Sequence, residues 1–556
     1  MSTLLLLLAC AGPKPATVDT ADTGGEPTPT VVDADGDGWP VGEDCNDGDA
    51  QIHPGAAESC GDGVDQDCDG LELGCTGTKP ASSSAGWVIG ADDEDAFGLG
   101  VSFAMVSGDT DTTAPLIVVG SAWGDETPTK DTSSPTDEGV IFGIQPDGLS
   151  SGNVVHSSSS WSIGSTEQGQ VFGVDVKASD VDEDGMIDVI VGAPNNLSHR
   201  DATGDIYIFP GPITATSAPL ITDGIRIGGD RPAMGMAYDV NPEWDVTGDG
   251  HRDIVFDRPG RCFEDATGGF AVLQGPEFES RAMDAGQDLF WDLEQPCWGY
   301  RHEVVVADFD GDGIGDVALG AVSGGSGVRD SQLGIESDES GAGFVTLALG
   351  PFSEGGSLAD VEGRLLGPSS QSYLGTTVEV MPDFDGDGLP ELLLGAPLAG
   401  EDDEGRVYII PGPAVASWAE VETLASVTVT GGGRENLYLG QGVFDGGDQD
   451  ADGHRELLVA ATWSDPGGVL DESGRVYVFR GPLEGTLEPA DAILTVHGDN
   501  AGDYLGYNVV MVGAGGKLLG GIDLNYDGFD DWLVGAELTG DKWRGAVYSF
   551  YGGVWD

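Results

Sequence analysis

Carboxylates recur along this chain at a spacing that suits a hard divalent cation. Asp180, Asp182, Asp184 and Asp188 stand at positions 1, 3, 5 and 9 of a loop with Gly185 at position 6. Alternating oxygen donors around a glycine turn are what Ca²⁺ coordination asks for. The pattern returns as Asp308, Asp310, Asp312 and Asp316, as Asp383, Asp385, Asp387 and Glu391, and as Asp448, Asp450, Asp452 and Glu456. Two variants carry weaker oxygen donors: Asp245, Thr247, Asp249, Asp253 and Asp523, Asn525, Asp527, Asp531. Position 7 is Met186, His251, Ile314, Leu389, His454 or Phe529, so only its backbone carbonyl can serve as a shared ligand. His251 and His454 are therefore not expected to bind metal. A further copy holds only Asp109 and Asp111 before Thr112 and Thr113, without the glycine, and is expected to be empty. One such loop alone is often a solvated turn. Copies in phase with a strand pattern point to about six Ca²⁺.

The elements that position these loops repeat with them. Gly98, Gly173, Gly235, Gly299, Gly375, Gly440 and Gly506 anchor seven units roughly 62 to 76 residues apart, several introduced by Phe-Gly or Tyr-Leu-Gly. Self-similarity at a fixed period signals stacked or radially arranged units. Short Val/Ile/Leu runs alternate, and no segment keeps a 3.6-residue apolar period, so the chain is expected to be all-β. The second repeat predicts strands over Val171–Val176, Asp188–Ala193, Asp205–Phe209 and Ile225–Gly228, a four-stranded blade. The last repeat ends without room for a fourth strand, and Gly86–Gly90 precedes the first anchor. That N-terminal strand is expected to complete the last blade and close the ring.

Ahead of the repeats the chain changes character. Leu4–Leu8 and Ala9 form an apolar run too short to span a bilayer, ending at Cys10. Residues 1–10 therefore look like an export signal, and 11–32, rich in Pro, Thr, Ala, Asp and Gly, like a disordered tether. Residues 33–75 form an Asp/Cys-rich segment too small for a hydrophobic core, stabilised instead by metal and disulfides. Residues 76–85 are expected to be a linker and 86–556 the repeat domain. Beyond Cys10 the six cysteines form an even set, as disulfides in an exported chain require: Cys45, Cys60, Cys68 and Cys75 in the small segment, Cys262 and Cys297 in the repeats. The last two are expected to bridge neighbouring repeats.

Charge narrows the partners. With 22 basic and 97 acidic residues the formal charge is -75, which repels nucleic acid and anionic membranes and attracts cations. The seven histidines make no HExxH motif and the chain has no Gly-x-Ser-x-Gly elbow, so nothing assembles a nucleophile with its base. No enzyme is expected, although a carboxylate pair on one face of the domain could support hydrolysis.

Three resemblances add to this reading. Leu7-Leu8-Ala9-Cys10 resembles the lipobox of bacterial lipoproteins, which implies a lipid on Cys10, although the n-region lacks Lys and Arg. The Phe-Gly step, the Asp loops and the strand ends Val191-Gly192-Ala193-Pro194 and Leu394-Gly395-Ala396-Pro397 resemble the FG-GAP repeat of integrin α-subunit propellers. That resemblance implies a seven-bladed β-propeller with Ca²⁺ loops between strands 1 and 2. It also implies a ligand face opposite, where 121–138, 322–342 and 401–404 fall. Asp33-Ala34-Asp35-Gly36-Asp37-Gly38, Asp44-Cys45-Asn46-Asp47, His53-Pro54-Gly55-Ala56, Glu58 and Asp65–Gly70 are similar to the metal-binding motif of MopE-type bacterial surface proteins. Copper is the metal of that family's name, and Trp39 and His53 are the residues it would implicate. One His without a second soft ligand makes a poor copper site. Asp33, Asp35, Asp37 and Asp44, at positions 1, 3, 5 and 12 of an EF-hand-like loop, favour Ca²⁺. The leading expectation is a calcium-binding lipoprotein of the outer membrane or cell surface, touching membrane only through Cys10, whose propeller binds an unidentified protein or glycan. A carboxylate hydrolase and copper capture by the N-terminal segment stand beside it, as do secreted or periplasmic locations.

Overall fold

The computed structural model describes residues 33–40, 44–46, 48–54, 56, 59–60, 64–68, 74–84, 86–89, 103–106, 116–122, 139–144, 153–154, 159–165, 167, 170–194, 203–213, 220–229, 236–259, 268–284, 287–292, 303–321, 329–330, 335–336, 341–358, 361–369, 371–415, 417–434, 437–464, 472–506, 518–525, 527–536 and 545–555. Cys10, the tether, the Asp109–Thr113 loop, Cys262 and Cys297 lie outside these residues. Two compact units separate, one formed by the chain through Ala57 with Gln66–Asp69, the other by the remainder. Among the described residues no helix is long and apolar enough to cross a membrane.

The larger unit is an all-β propeller. In the second repeat the strands Asp175–Ser179, Asp188–Ala193, Asp205–Phe209 and Ile225–Gly228 pair antiparallel in that order. Three match the sequence pattern; the first begins four residues later than expected. Val171 (φ 56°) and Gly173 (φ 91°) turn the chain through left-handed backbone there, and the Gly173 N–H donates to the Gly192 carbonyl at 3.0 Å, so 171–174 is a corner.

Side-chain alternation builds the core between blades. Val189 and Val191 pack with Val118, Ile141 and Phe172 toward the first blade, while Ile190 joins Ile206, Val240, Ile254 and Phe256 toward the third. Both faces of the strand are covered, which is why Asp188–Ala193 is buried throughout and reads as a continuous apolar run. Close approach of blades also explains the glycine of the strand end: a Cβ on Gly192 would lie 2.2 Å from the Ala237 carbonyl oxygen of the next repeat.

Among the described residues six sheets are five-stranded, one, built from 103–106, 116–121, 140–144 and 159–164, is four-stranded, and Arg329–Asp330 with Ile335–Glu336 forms a separate two-stranded ribbon. The fifth strand is a short parallel addition to the outer edge, donated by the next repeat's connection between strands 3 and 4. Arg281–Ala282 pairs with Ile225–Gly228, Gly356–Ser357 with Leu289–Asp292, Trp418–Glu420 with Gly363–Leu366, and Gly485–Leu487 with Val427–Thr430. Each addition covers backbone groups that would otherwise stand open.

The N-terminal strand closes the last sheet. Gly86–Ile89 pairs antiparallel with Ala546–Phe550, in register Gly86↔Ser549 to Ile89↔Ala546. Among the described residues the last repeat adds no edge strand to the sixth sheet. The segment just before the borrowed strand fills the gap: Gly77–Pro80 pairs parallel with Leu494–His497, followed by a 3-10 turn at Ala81–Ser83. The expected linker at 76–85 is thus a structural edge strand.

Candidate metal centres

Each Asp loop joins the innermost strand of a blade to the second and is shaped by the same hydrogen bond. The position-1 carboxylate accepts from the position-6 glycine N–H: Asp180 from Gly185 at 3.1 Å, Asp245 from Gly250 at 2.7 Å, Asp308 from Gly313 at 2.8 Å. Asp383 and Gly388 at 2.9 Å, Asp448 and Gly453 at 2.9 Å, and Asp523 and Gly528 at 3.0 Å repeat it. The position-5 carboxylate accepts from the N–H of position 7, as in Asp184 from Met186 at 2.8 Å and Asp312 from Ile314 at 2.8 Å. The loop is thereby wound so that side-chain oxygens point inward. Oxygen atoms of Asp180, Asp182 and Asp188 come within 4.8 Å of one another, as do those of Asp308, Asp310 and Asp316 and those of Asp383, Asp385 and Asp387.

The position-9 acids do more than face the loop. Asp188 accepts from the N–H of Val181 at 2.9 Å through Oδ2 and from Gly211 at 2.9 Å through Oδ1, tying the loop to the turn after the third strand. Asp253 makes the same pair with Val246 (3.0 Å) and Gly275 (3.1 Å), Asp316 with Phe309 and Gly350 (both 2.9 Å), and Asp531 with Leu524 (2.7 Å) and Gly552 (2.9 Å). Glu456 does so with Gln449 (2.6 Å) and Gly481 (3.2 Å). Glu391 accepts from Phe384 at 2.5 Å, while its Oε1 stays buried without a partner. The glycines of these ties escaped the sequence reading, although Gly211-Pro212, Gly275-Pro276, Gly350-Pro351, Gly412-Pro413 and Gly481-Pro482 recur in phase with the loops.

Electrostatics follows from this crowding. Burial pushes the carboxyls of Asp188 and Asp253 above the ordinary range, those of Asp316 and Glu391 up to about 7, and those of Glu456 and Asp531 up to about 8. Backbone N–H groups oppose the shift, and neighbouring loop carboxylates add to it for all but Asp253. Asp180 Oδ1 and Glu391 Oε1 are buried without hydrogen-bond partners. Hard oxygen donors with unmatched charge and free lone pairs fit Ca²⁺. The variant loops are less uniform. Thr247 donates toward Asp245 at 3.5 Å and the Asn525 amide donates to Asp527 at 2.7 Å; in the loop from Asp448, which keeps the full acid pattern, Asp450 and Asp452 face Arg480. The backbone N–H of His251 donates to Asp249 of its own loop at 2.9 Å, while its ring Nδ1 lies 3.0 Å from Glu183 of the preceding loop.

In the small N-terminal unit Asp33, Asp35 and Asp37 gather in the same way, with Asp33 accepting from Gly36 at 2.7 Å and Gly38 at 3.1 Å. The Oδ2 atoms of Asp35, Asp37 and Asp44 are buried without partners. Cys45 is bonded to Cys68 in this unit, and Cys60 to Cys75 in the larger one, which settles a pairing the sequence left open. Asp44 lies close to both Cys45 and Cys68, but those sulfurs are joined to each other and offer no thiolate. The His53 Nδ1 faces the Pro54 carbonyl at 3.3 Å. Oxygen donors are what this unit presents.

Of the segments assigned to a ligand face, 401–404 is fully described. Glu401–Asp403 forms a 3-10 turn with Asp402 and Asp403 in left-handed backbone, and Glu404 accepts from the Gly433 N–H at 2.7 Å.

Comparison with known proteins agrees with the geometry. Residues 374–410 match the FG-GAP repeat family, and residues 44–71 match a family described as "Putative metal-binding motif", of the copper-binding MopE type. Mouse integrin α-IIb is 32% identical over 182 residues, 31% of this chain and 16% of that protein. Human integrin α-IIb is 29% identical over 266 residues, 45% of this chain and 22% of that protein, and Drosophila melanogaster integrin α-PS2 28% over 248 residues, 42% and 15%. The aligned part thus spans less than a quarter of these relatives' own length. A solved Bacillus licheniformis rhamnogalacturonan lyase aligns over 84% of this chain and 92% of its own at 12% identity, with a TM-score of 0.24, too low to carry an argument. The chain thus carries an FG-GAP repeat at 374–410 and a MopE-type motif at 44–71, and part of its propeller is similar to integrin α-subunits.

Proposed function

We propose that this chain is a calcium-stabilised, seven-bladed propeller displayed at the cell surface through a lipid on Cys10, and that it serves as a binding or adhesion module without catalytic activity. The observation that carries the reading is the convergence of loop carboxylates at the same strand 1 to strand 2 turn of successive blades, in a fold similar to integrin α-subunits. Ca²⁺ bridges carboxylates that would otherwise repel one another and so pins each inner hairpin. Asp33, Asp35, Asp37 and Asp44 hold a further Ca²⁺ in preference to copper, since their free atoms are all oxygens. The partner is a protein or glycan met on the face opposite the metal loops, where Glu401–Glu404 lies; the charge of -75 disfavours nucleic acid.

The test is metal content by mass spectrometry on exported protein, paired with melting curves with and without chelator. Several Ca²⁺ per chain and a large chelator shift are expected. Stoichiometric copper with little calcium would overturn the reading and make the N-terminal unit the working part.

A further inference from the structure

We propose that the sixth loop, Asp448 to Glu456, is closed by a cation of the protein's own, the guanidinium of Arg480, and takes no Ca²⁺; this rests on the calcium reading of the other loops. Arg480 stands between the third strand, Arg475–Phe479, and Gly481, whose N–H reaches Glu456 of the same loop. From there its Nη2 lies 2.5 Å from Asp450 Oδ2 and 3.2 Å from Asp452 Oδ2. These are positions 3 and 5, the carboxylates a metal would bridge. The Asp450 side chain is 1% exposed and its Oδ2 makes no hydrogen bond, so the guanidinium stands there as its ion-pair partner. The guanidinium carbon is also 5.9 Å from the ring centroid of Trp555, which helps to hold it.

Position by position, the sixth loop is the exception. The residue before the turn glycine is Pro210, Gln274, Leu349, Pro411 and Tyr551 in the other described loops, none of them cationic. Among the described residues Arg480 alone brings a positive fork to carboxylates of the shared pattern. A Ca²⁺ entering there has to expel a charge-assisted, partly buried pair and meet like charge at the same point.

The full chain is saturated with Ca²⁺, exchanged into calcium-free buffer, and its calcium counted per chain by mass spectrometry. Asp450→Asn is expected to hold as many Ca²⁺ as the wild type, whereas Asp310→Asn, in the fourth loop, loses one. Arg480→Gln is expected to gain one. Loss of a Ca²⁺ in Asp450→Asn, or no gain in Arg480→Gln, overturns the assignment of Arg480 while leaving the calcium reading intact. A wild type that holds no Ca²⁺ at all overturns both.

Discussion

Gly395 lies directly against the carbonyl of Gly440: a Cβ at Gly395 would stand 2.1 Å from that oxygen. One glycine ends the second strand of the fifth blade and the other anchors the sixth repeat, so the two signature glycines of successive repeats form the joint between blades. Neither backbone can retreat, since the Gly440 N–H donates to the Ala460 carbonyl at 3.0 Å. Gly395→Ala is therefore expected to destabilise the propeller by roughly 1–3 kcal/mol, the usual cost of overpacking. Thermal melts of the purified variant check this; an unchanged melting temperature would mean that the blades can slide apart.

The position-9 acids predict a separation of structural from metal-dependent stability. Asp316→Ala leaves the N–H groups of Phe309 and Gly350 without their acceptor, at a cost on the order of 1–3 kcal/mol for each group left buried and unpaired. The loss is expected whether or not chelator is present. Asp310→Asn removes only an exposed loop carboxylate, and its effect is expected to vanish in chelator. Melting both variants with and without EGTA decides the matter.

The buried carboxyls also set a pH dependence. Asp316 and Glu391 at about 7, and Glu456 and Asp531 at about 8, sit above their unfolded values. Between about pH 4 and pH 8 the metal-free folded chain then holds protons that the unfolded chain has released, so stability falls as pH rises through that window. In chelator the melting temperature is expected to decline from pH 5 to pH 8. With Ca²⁺ present the decline is expected to flatten, because the ion replaces the protons and binds better as they leave. A chelated protein that melts higher at pH 8 than at pH 5 would contradict the burial argument.

Removing Gly77–Pro80 should expose the edge Leu494–His497. A chain beginning at residue 86 retains the closing strand but loses this cover, and is expected to melt lower and to aggregate more readily than one beginning at residue 74. Light scattering during a melt distinguishes the two.

Most of the architecture was written in the sequence because it depends on period. Strand runs such as Val189–Ala193, the Asp loops and the missing fourth strand of the last repeat are local patterns, and local patterns are legible. The corner at Val171–Val174 misled because its residues are as apolar as a strand, while its backbone is left-handed. The strand at Gly77–Pro80 could not be seen, since GTKP carries no strand signal and is held by pairing alone. In the candidate sites the ligand types were legible and their other attachments were not. That Asp188 also serves Gly211, or that Arg480 reaches Asp450, depends on where the third strand ends in space.

The pairing of Gly86–Ile89 with Ala546–Phe550 carries a consequence for biogenesis. As the repeats emerge in order, this strand waits for a partner in the seventh repeat, and the last sheet stays incomplete until that partner has been made. The finished blades meanwhile present a seam of unsatisfied backbone, exposed to pairing with a second chain. A protein built this way is sealed in a single late step, and its assembly is governed by how long that seam can be kept from strangers.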